Sequence, residues 1–450
     1  MEMAFTRIFA RSVNRFTCIH VYLNSPFQDE VEPMLQLYNT MTRQKEPFRL
    51  KNGRARGAVR MFSCGPSIYS APHIGNYRTF IWEDVLQRYL EYQGYEVKRV
   101  ISLTDIEDKA IEEAKERGLP VGELTGPIAE RFIEEAGRLR IKLPERIPRS
   151  STSVQQAVYL IRKLIEKGYA YRYKADIFFD PLKFKDFGKL FRLDMSKWPK
   201  TKKRFKRDTY TGLRWNRGDF ILWHGCNGDD EVCWDTEIGR GRPSWNVQDP
   251  AMISETLGYC LDIFCGGIDN IYRHHDYNIA VMESVSGEEL ARYWLHGRHV
   301  LADGKKMSKS LHNIVYPETL IEQGFSWEQI RYYLLSRQYR KELNLCMDGV
   351  REQSSKLDAL RAMTRELLIP REKTEQTVED EAVSSLTQAL TASFEAGMNN
   401  DLDTPSAVEG LCGAVQRLHF LHKIGRIGRE QTQIIEERLR KTDSVLQVLF

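Results

Sequence analysis

Between residues 59 and 117 the chain switches twice between strand-like and helix-like apolar patterns, and this limits the fold more than any other feature. Val59-Arg-Met-Phe-Ser-Cys64 is a short run of buried-strand character that enters a Gly65-Pro66 turn. A helical pattern follows over about residues 76–93, with Phe80, Val85, Leu86 and Leu90 near helical spacing. Residues 97–102 then predict a second strand and residues 105–117 a second helix. Strand, helix, strand, helix at this spacing requires an α/β fold with a parallel sheet and crossover connections. Residues 260–265 predict another buried strand, stopped by Gly266-Gly267.

The rest of the chain falls around that core. Residues 1–33 hold Arg7, Arg11 and Arg15 in a stretch with few acids, and are expected to be a tail, a start-site extension or an organelle-targeting segment. A catalytic domain is expected over 34–326, interrupted at about 123–239 by an insertion with longer helices, a strand at 175–180 and a basic run. From residue 327 to 450 the pattern is helical, at 330–337, 353–368, 378–398 and 407–450.

A chain of 450 residues, 42% hydrophobic and 28% charged, can bury a substantial core, and it has no stretch apolar enough to span a bilayer. The net charge of +4 is too small to argue for nucleic acid alone. Lys200, Lys202, Lys203, Arg204, Lys206 and Arg207 form either a solvated loop or a phosphate-binding patch. Eight cysteines without regular pairing do not make a disulfide framework and suit a reducing cytoplasm. Cys226 with Cys233, and Cys260 with Cys265, lack the spacing of a metal knuckle.

Two short motifs carry chemistry. His73-Ile74-Gly75-Asn76 opens the first helix, where unpaired backbone amides and the helix dipole attract anions. Gly75 permits close approach of a nucleotide, and the His73 imidazole can hydrogen-bond a phosphate in the transition state. Lys306-Met307-Ser308-Lys309-Ser310 offers two ammonium groups and two hydroxyls to a leaving pyrophosphate. Each motif alone also suits an ordinary surface loop; their order and separation argue for joint use.

With these motifs the chain resembles the class I aminoacyl-tRNA synthetases, and its surrounding residues resemble the cysteinyl-tRNA synthetase branch. The resemblance rests on residues 35–48, on Thr104-Asp-Ile-Glu-Asp-Lys109, Gly241-Arg-Pro-Ser-Trp245, Gly266-Gly-Ile-Asp269, His274-His275 and Met398-Asn-Asn-Asp-Leu-Asp-Thr-Pro405. It implies a Rossmann-like catalytic core with a connective insertion and a C-terminal helical bundle. It also implies ATP with Mg²⁺, and amino-acid activation through an aminoacyl-adenylate. His73, Gly75, Asn76, Gly267, Asp269, Lys306, Met307, Ser308 and Lys309 would serve ATP, with Asp269 on the ribose. Thr104 would lie near the amino-acid backbone, while Trp245 suits that place and core packing equally.

Departures from the family bear on the substrate. Family members hold zinc through two Cys, a His and a Glu, and zinc selects the thiol of cysteine. Here Cys64 and His274 match two ligands, while Asp249 and Asn278 stand at the others, and Phe264 and Asn246 replace usual histidines. A zinc site of the family kind is therefore not expected. Asp249 is expected to face the substrate as a free carboxylate beside an apolar Phe264 wall, favouring a cationic or hydroxylated side chain over a thiol. The helical region also ends where the family's small anticodon-reading domain would follow, a layout shared with ligases that join cysteine to an amino-sugar. The acceptor is then a tRNA bound without anticodon reading, or an amine on a small molecule or carrier. A divergent cysteine–tRNA ligase and an idle paralogue acting as a binding module are the competing readings; two intact ATP motifs speak against the idle one.

Overall fold

The structure is a computed structural model that describes residues 34–51, 57–196, 218–226, 232–308, 311–372 and 379–450. Residues 1–33, the basic run 200–207, and Lys309 and Ser310 lie outside the described residues.

Four parallel strands form the central sheet, in the order Ala291–Gly297, Leu261–Gly267, Val59–Ser63, Val97–Ile101. Met61 pairs with Ile263, and Ser63 with both Cys265 and Ile101, so the strands finish together along one edge. Side chains alternate across the pleat. Met61, Ile263, Cys265 and Leu295 pack into one core with the Ile74–Tyr92 helix. Phe62, Phe264 and Trp294 point the other way, into a second core with the Trp245–Thr256 and Asp276–Ser286 helices. Cover on both faces is why these strands are almost continuously apolar.

The strand order reverses between Val59–Ser63 and Leu261–Gly267: from the first the chain crosses to one side, from the second to the other. Ligands of open α/β sheets bind at such a reversal, outside the carboxyl ends of the strands. Cys64, Thr104, Asp269 and the Lys306 loop all follow strands that end on this edge. Between the two sheet halves in sequence stands an antiparallel sheet of Ala170–Tyr173, Asp176–Phe179, Phe220–Gly225 and Gly241–Pro243. Of its strands, the sequence pattern indicated only the second.

A small sheet of Lys305–Lys306, Val300–Ala302 and Leu343–Leu345 carries the second motif. Helices Trp327–Leu335, Met347–Leu367, Glu379–Asn399, Thr404–Lys423 and Arg429–Leu446 follow. The expected helix over 407–450 is two helices: Gly425 adopts a φ of 75°, which glycine takes without steric cost, and the backbone turns there.

The cysteine reading needs one correction. Cys226 and Cys233 are joined in a disulfide, with Cα atoms 6.4 Å apart. Trp234 exchanges backbone hydrogen bonds with Gly241, and Cys226 N donates to Arg240 O, so pairing of the backbone, not the cysteine spacing, brings the two together. It is a local staple; Cys64, Cys260, Cys265, Cys346 and Cys412 are free thiols.

Candidate active site

The first motif is built into a helix start. His73 is the N-cap of the Ile74–Tyr92 helix: its Nδ1 accepts from Gly75 N at 3.1 Å, and its own N–H donates to Asn76 Oδ1 at 2.9 Å. This reciprocal capping occupies two groups that a helix start otherwise leaves unpaired. Accepting at Nδ1 requires a neutral ring with its proton on Nε2. Burial holds the His73 pKa below its ordinary value, and the nearby Asp269 carboxylate opposes that shift.

The second motif packs directly on the first. A Cβ on Gly75 would lie 2.9 Å from His73 Cε1 and 3.3 Å from Met307 Cε, so a side chain there would crowd both residues. Ile74 N donates to Val315 O at 2.9 Å, tying the helix start to the segment after the loop. Lys306 Nζ stands 3.7 Å from Asp269 Oδ2, with both groups more than half exposed. A pair so open to solvent contributes little stability and is free to exchange partners. Asp269 in turn sits against Gly267, where a Cβ would come within 2.8 Å of its Oδ1. Asn313, which the sequence reading did not single out, pins the loop: its Oδ1 accepts from Ser308 N and its Nδ2 donates to Lys306 O, at 2.9 and 3.1 Å.

The residues expected to form the amino-acid pocket lie across the sheet reversal. Cys64 Sγ is 3.6 Å from Asp249 Oδ2 and 3.3 Å from His274 Nε2, and His274 Nε2 is 2.8 Å from the same carboxylate oxygen. Asp249 is 2% exposed, so the expectation of a free carboxylate is corrected: thiol and imidazole already occupy it. Burial first, then the charge of Asp249, pushes the Cys64 thiol well above its ordinary pKa. Trp245 stacks on His274 with centroids 4.9 Å apart, so its indole packs directly on the imidazole.

Other candidates lie further in. Phe264 is fully buried among Phe62, Trp294 and His275 and backs the histidine; it is not an open wall. Asn246 donates to Ile221 O and is buried. Asn278 is buried with neither amide atom hydrogen-bonded. Thr104 holds the loop after Cys64: it donates to Pro66 O and accepts from Ile68 N, at 3.2 and 3.0 Å.

Zinc is the metal that the family resemblance implies, and the donor set can be tested against it. Zinc–ligand lengths of about 2.0–2.3 Å put neighbouring donors roughly 3.3–3.8 Å apart. Cys64 Sγ, Asp249 Oδ2 and His274 Nε2 converge to 2.8–3.6 Å, the shortest of these separations spanning a hydrogen bond whose proton a metal would displace. His274 Nδ1 is buried without a partner. A thiol, a carboxylate and an imidazole are all zinc donors, so three side chains fit the ion.

Known proteins similar to this chain give its family. The family described as "tRNA synthetases class I (C) catalytic domain" matches residues 51–355. A cysteine–tRNA ligase from Chlamydia pneumoniae is 35% identical over 424 residues, covering 92% of this chain and 86% of the relative. Another from Brachyspira hyodysenteriae is 35% identical over 376 residues, covering 82% and 77%. Among solved structures, methionyl-tRNA synthetase from Mycobacterium tuberculosis superimposes with a TM-score of 0.63 at 15% identity, over 87% of this chain and 90% of that one. The Agrobacterium radiobacter leucyl enzyme gives 0.61 at 12%, over 89% and 85%. The fold and the paired motifs define a class I aminoacyl-tRNA synthetase, a ligase of protein biosynthesis. Within that class the chain belongs to the cysteine–tRNA ligase family.

Proposed function

We propose that this chain activates cysteine with ATP and transfers the cysteinyl group to a tRNA. The carboxylate of the amino acid attacks the α-phosphorus of ATP, pyrophosphate leaves, and the aminoacyl-adenylate forms. An acceptor hydroxyl then attacks the acyl carbon and AMP departs. Mg²⁺ arrives with the triphosphate.

The observation that carries the reading is the meeting of the two motifs at one helix start, where the His73 ring and the Met307 methyl both come within 3.3 Å of the position a Cβ on Gly75 would take. There the neutral His73, through Nε2–H, and the Gly75 and Asn76 backbone would receive the phosphates. Lys306 would exchange Asp269 for the pyrophosphate, freeing the carboxylate for the ribose hydroxyls. Charge placed where it develops in the transition state accelerates the step.

The amino-acid choice rests on Cys64, Asp249 and His274. Since Asp249 is already engaged, the pocket offers no open acid to a cationic side chain, and the non-thiol expectation loses its main support. These three would hold zinc, which when bound supplies selection of a thiolate over a hydroxyl. ATP–pyrophosphate exchange across an amino-acid panel, with zinc supplied, tests the proposal. Exchange with cysteine well above serine is expected. Exchange with a non-thiol amino acid overturns the substrate, and silence across the panel overturns adenylation.

A further inference from the structure

His275 is fully buried, and its Nε2 has no hydrogen-bond partner. His275 belongs to a group in which one donor atom each of Cys64, His274 and His275 lie within 4.8 Å of one another, and Nε2 is its unpaired nitrogen because Nδ1 is engaged by His296. An imidazole nitrogen left unpaired beside a thiol and a second imidazole is costly unless something binds it. We propose that His275 Nε2 is a donor to the same metal ion as Cys64, Asp249 and His274, giving this chain a Cys-Asp-His-His set. The inference rests on the proposed reading of this pocket as a zinc-bearing cysteine site and deepens it.

Three features fit His275 for the task. Its Nδ1 is 2.8 Å from His296 Nε2, and His296 Nδ1 is 2.8 Å from Thr40 Oγ1, a relay that orients the ring from behind. Metal-bound histidines are characteristically held in this way through the second nitrogen. Gly266 makes room: a Cβ there would stand 2.7 Å from His275 Cε1 and 3.1 Å from Nε2, filling the approach to Cys64. The Phe264 edge, with centroids 4.7 Å apart, closes the ring's other side.

The relay also permits the required tautomer. Two neutral rings sharing one hydrogen bond have two arrangements. In one, His275 donates from Nδ1 to His296, His296 donates to Thr40, and the Nε2 lone pair faces the site. In the other every donor reverses, and an N–H faces the site. A cation selects the first. Binding draws the ring inward by up to about 1 Å, because donors on one zinc ion lie roughly 3.3–3.8 Å apart. His275 thus stands in for a donor lost where the neutral amide of Asn278 replaces a carboxylate.

The test uses the full-length chain, stripped by chelation and titrated with Co²⁺. Wild-type protein is expected to bind one ion per chain, with a thiolate charge-transfer band that Cys64→Ser abolishes. His275→Ala is expected to weaken Co²⁺ at least tenfold and alter the ligand-field bands while the thiolate band remains. X-ray absorption of the zinc-loaded wild type, which needs no variant to fold, is expected to count two imidazoles. One imidazole, unchanged affinity and bands in His275→Ala, or no ion bound by wild type overturns the inference. Two imidazoles in a loaded protein that gives no pyrophosphate exchange leaves the inference standing and overturns the adenylation reading instead.

Discussion

At the scale of single residues, His73 joins structure to the proposed chemistry because one nitrogen caps a helix and leaves the other for the phosphates. Protonating Nδ1 breaks the hydrogen bond from Gly75 N, so the cap exists only with the neutral ring. Burial lowers the folded-state pKa beneath the ordinary 6.5. The cap is therefore fully present above 6.5 and is lost as pH falls through the folded value. Pyrophosphate exchange should accordingly fall on an acid limb whose midpoint lies below 6.5, with a helical signal that persists. An acid limb centred above 6.5 would remove His73 from that role. Gly75→Ala tests the packing of the motifs, since its Cβ would meet the His73 ring at 2.9 Å and Met307 at 3.3 Å. Misplacing a reacting group by about 1 Å costs on the order of 10²-fold in kcat; a kcat within threefold of wild type would mean that the close approach of the two motifs at Gly75 is not needed. Much of this site was legible in the sequence, because His73, Gly75 and Lys306 lie in contiguous motifs. Two things were not. The pairing of Asp249 with His274 joins residues 25 apart in different helical segments, and no local pattern records it. The orphaned nitrogen of His275 is a property of what surrounds it; the His-His doublet was visible, but the relay to Thr40, far away in sequence, was not.

At the scale of elements, Asp401 is the fastening between the helices and the Gln36–Asn39 strand, which pairs antiparallel with Gln44–Pro47. It is fully buried in the turn between the Glu379–Asn399 and Thr404–Lys423 helices. Its Oδ1 accepts from Tyr38 N and the Tyr339 hydroxyl at 2.8 and 2.7 Å, and its Oδ2 from Gln338 Nε2 and Arg340 Nε at 3.1 and 2.6 Å. Four donors on one carboxylate outweigh the cost of its φ of 60°, a conformation aspartate tolerates better than most residues. Asp401→Ala should cost about 3–5 kcal/mol, because it strands buried donors and a half-buried guanidinium. Asp401→Gly separates the two effects: it relieves the backbone yet should still lower Tm, and a raised Tm in calorimetry would mean that strain dominates. Elements with strong periodicity, such as the Ile74–Tyr92 helix and the Leu261–Gly267 strand, followed the sequence pattern. The Ala170–Tyr173 strand did not, since tyrosine and arginine alternate there on an antiparallel edge and give no apolar run.

At the scale of the whole molecule, the two ATP motifs sit on separate structural pieces, so something must hold those pieces in register. Arg78 does this from one turn inside the first-motif helix. Its guanidinium donates to Arg298 O and His299 O, just before the strand leading to the Lys306 loop, at 3.0 and 3.2 Å. It also donates to Arg337 O, Gln338 O and Lys341 O, which follow the Trp327–Leu335 helix, at 3.3, 3.2 and 2.7 Å. Five carbonyls from two segments thus converge on one side chain that is 2% exposed. Burial lowers the Arg78 pKa to about 10, which leaves it charged at neutral pH and its bonds charge-assisted. Lysine keeps the charge but not the planar fork, so it cannot reach both segments at once. Arg78→Lys should therefore fold, lose about 1.5–3 kcal/mol of stability, and misplace the Lys306 loop relative to His73. The kinetic signature is a kcat for pyrophosphate exchange at least tenfold lower, with KM for the amino acid little changed, because Cys64, Asp249 and His274 stand on other segments. A rise in amino-acid KM with kcat preserved would show that Arg78 supports the sheet edge in general and does not set the distance between the motifs.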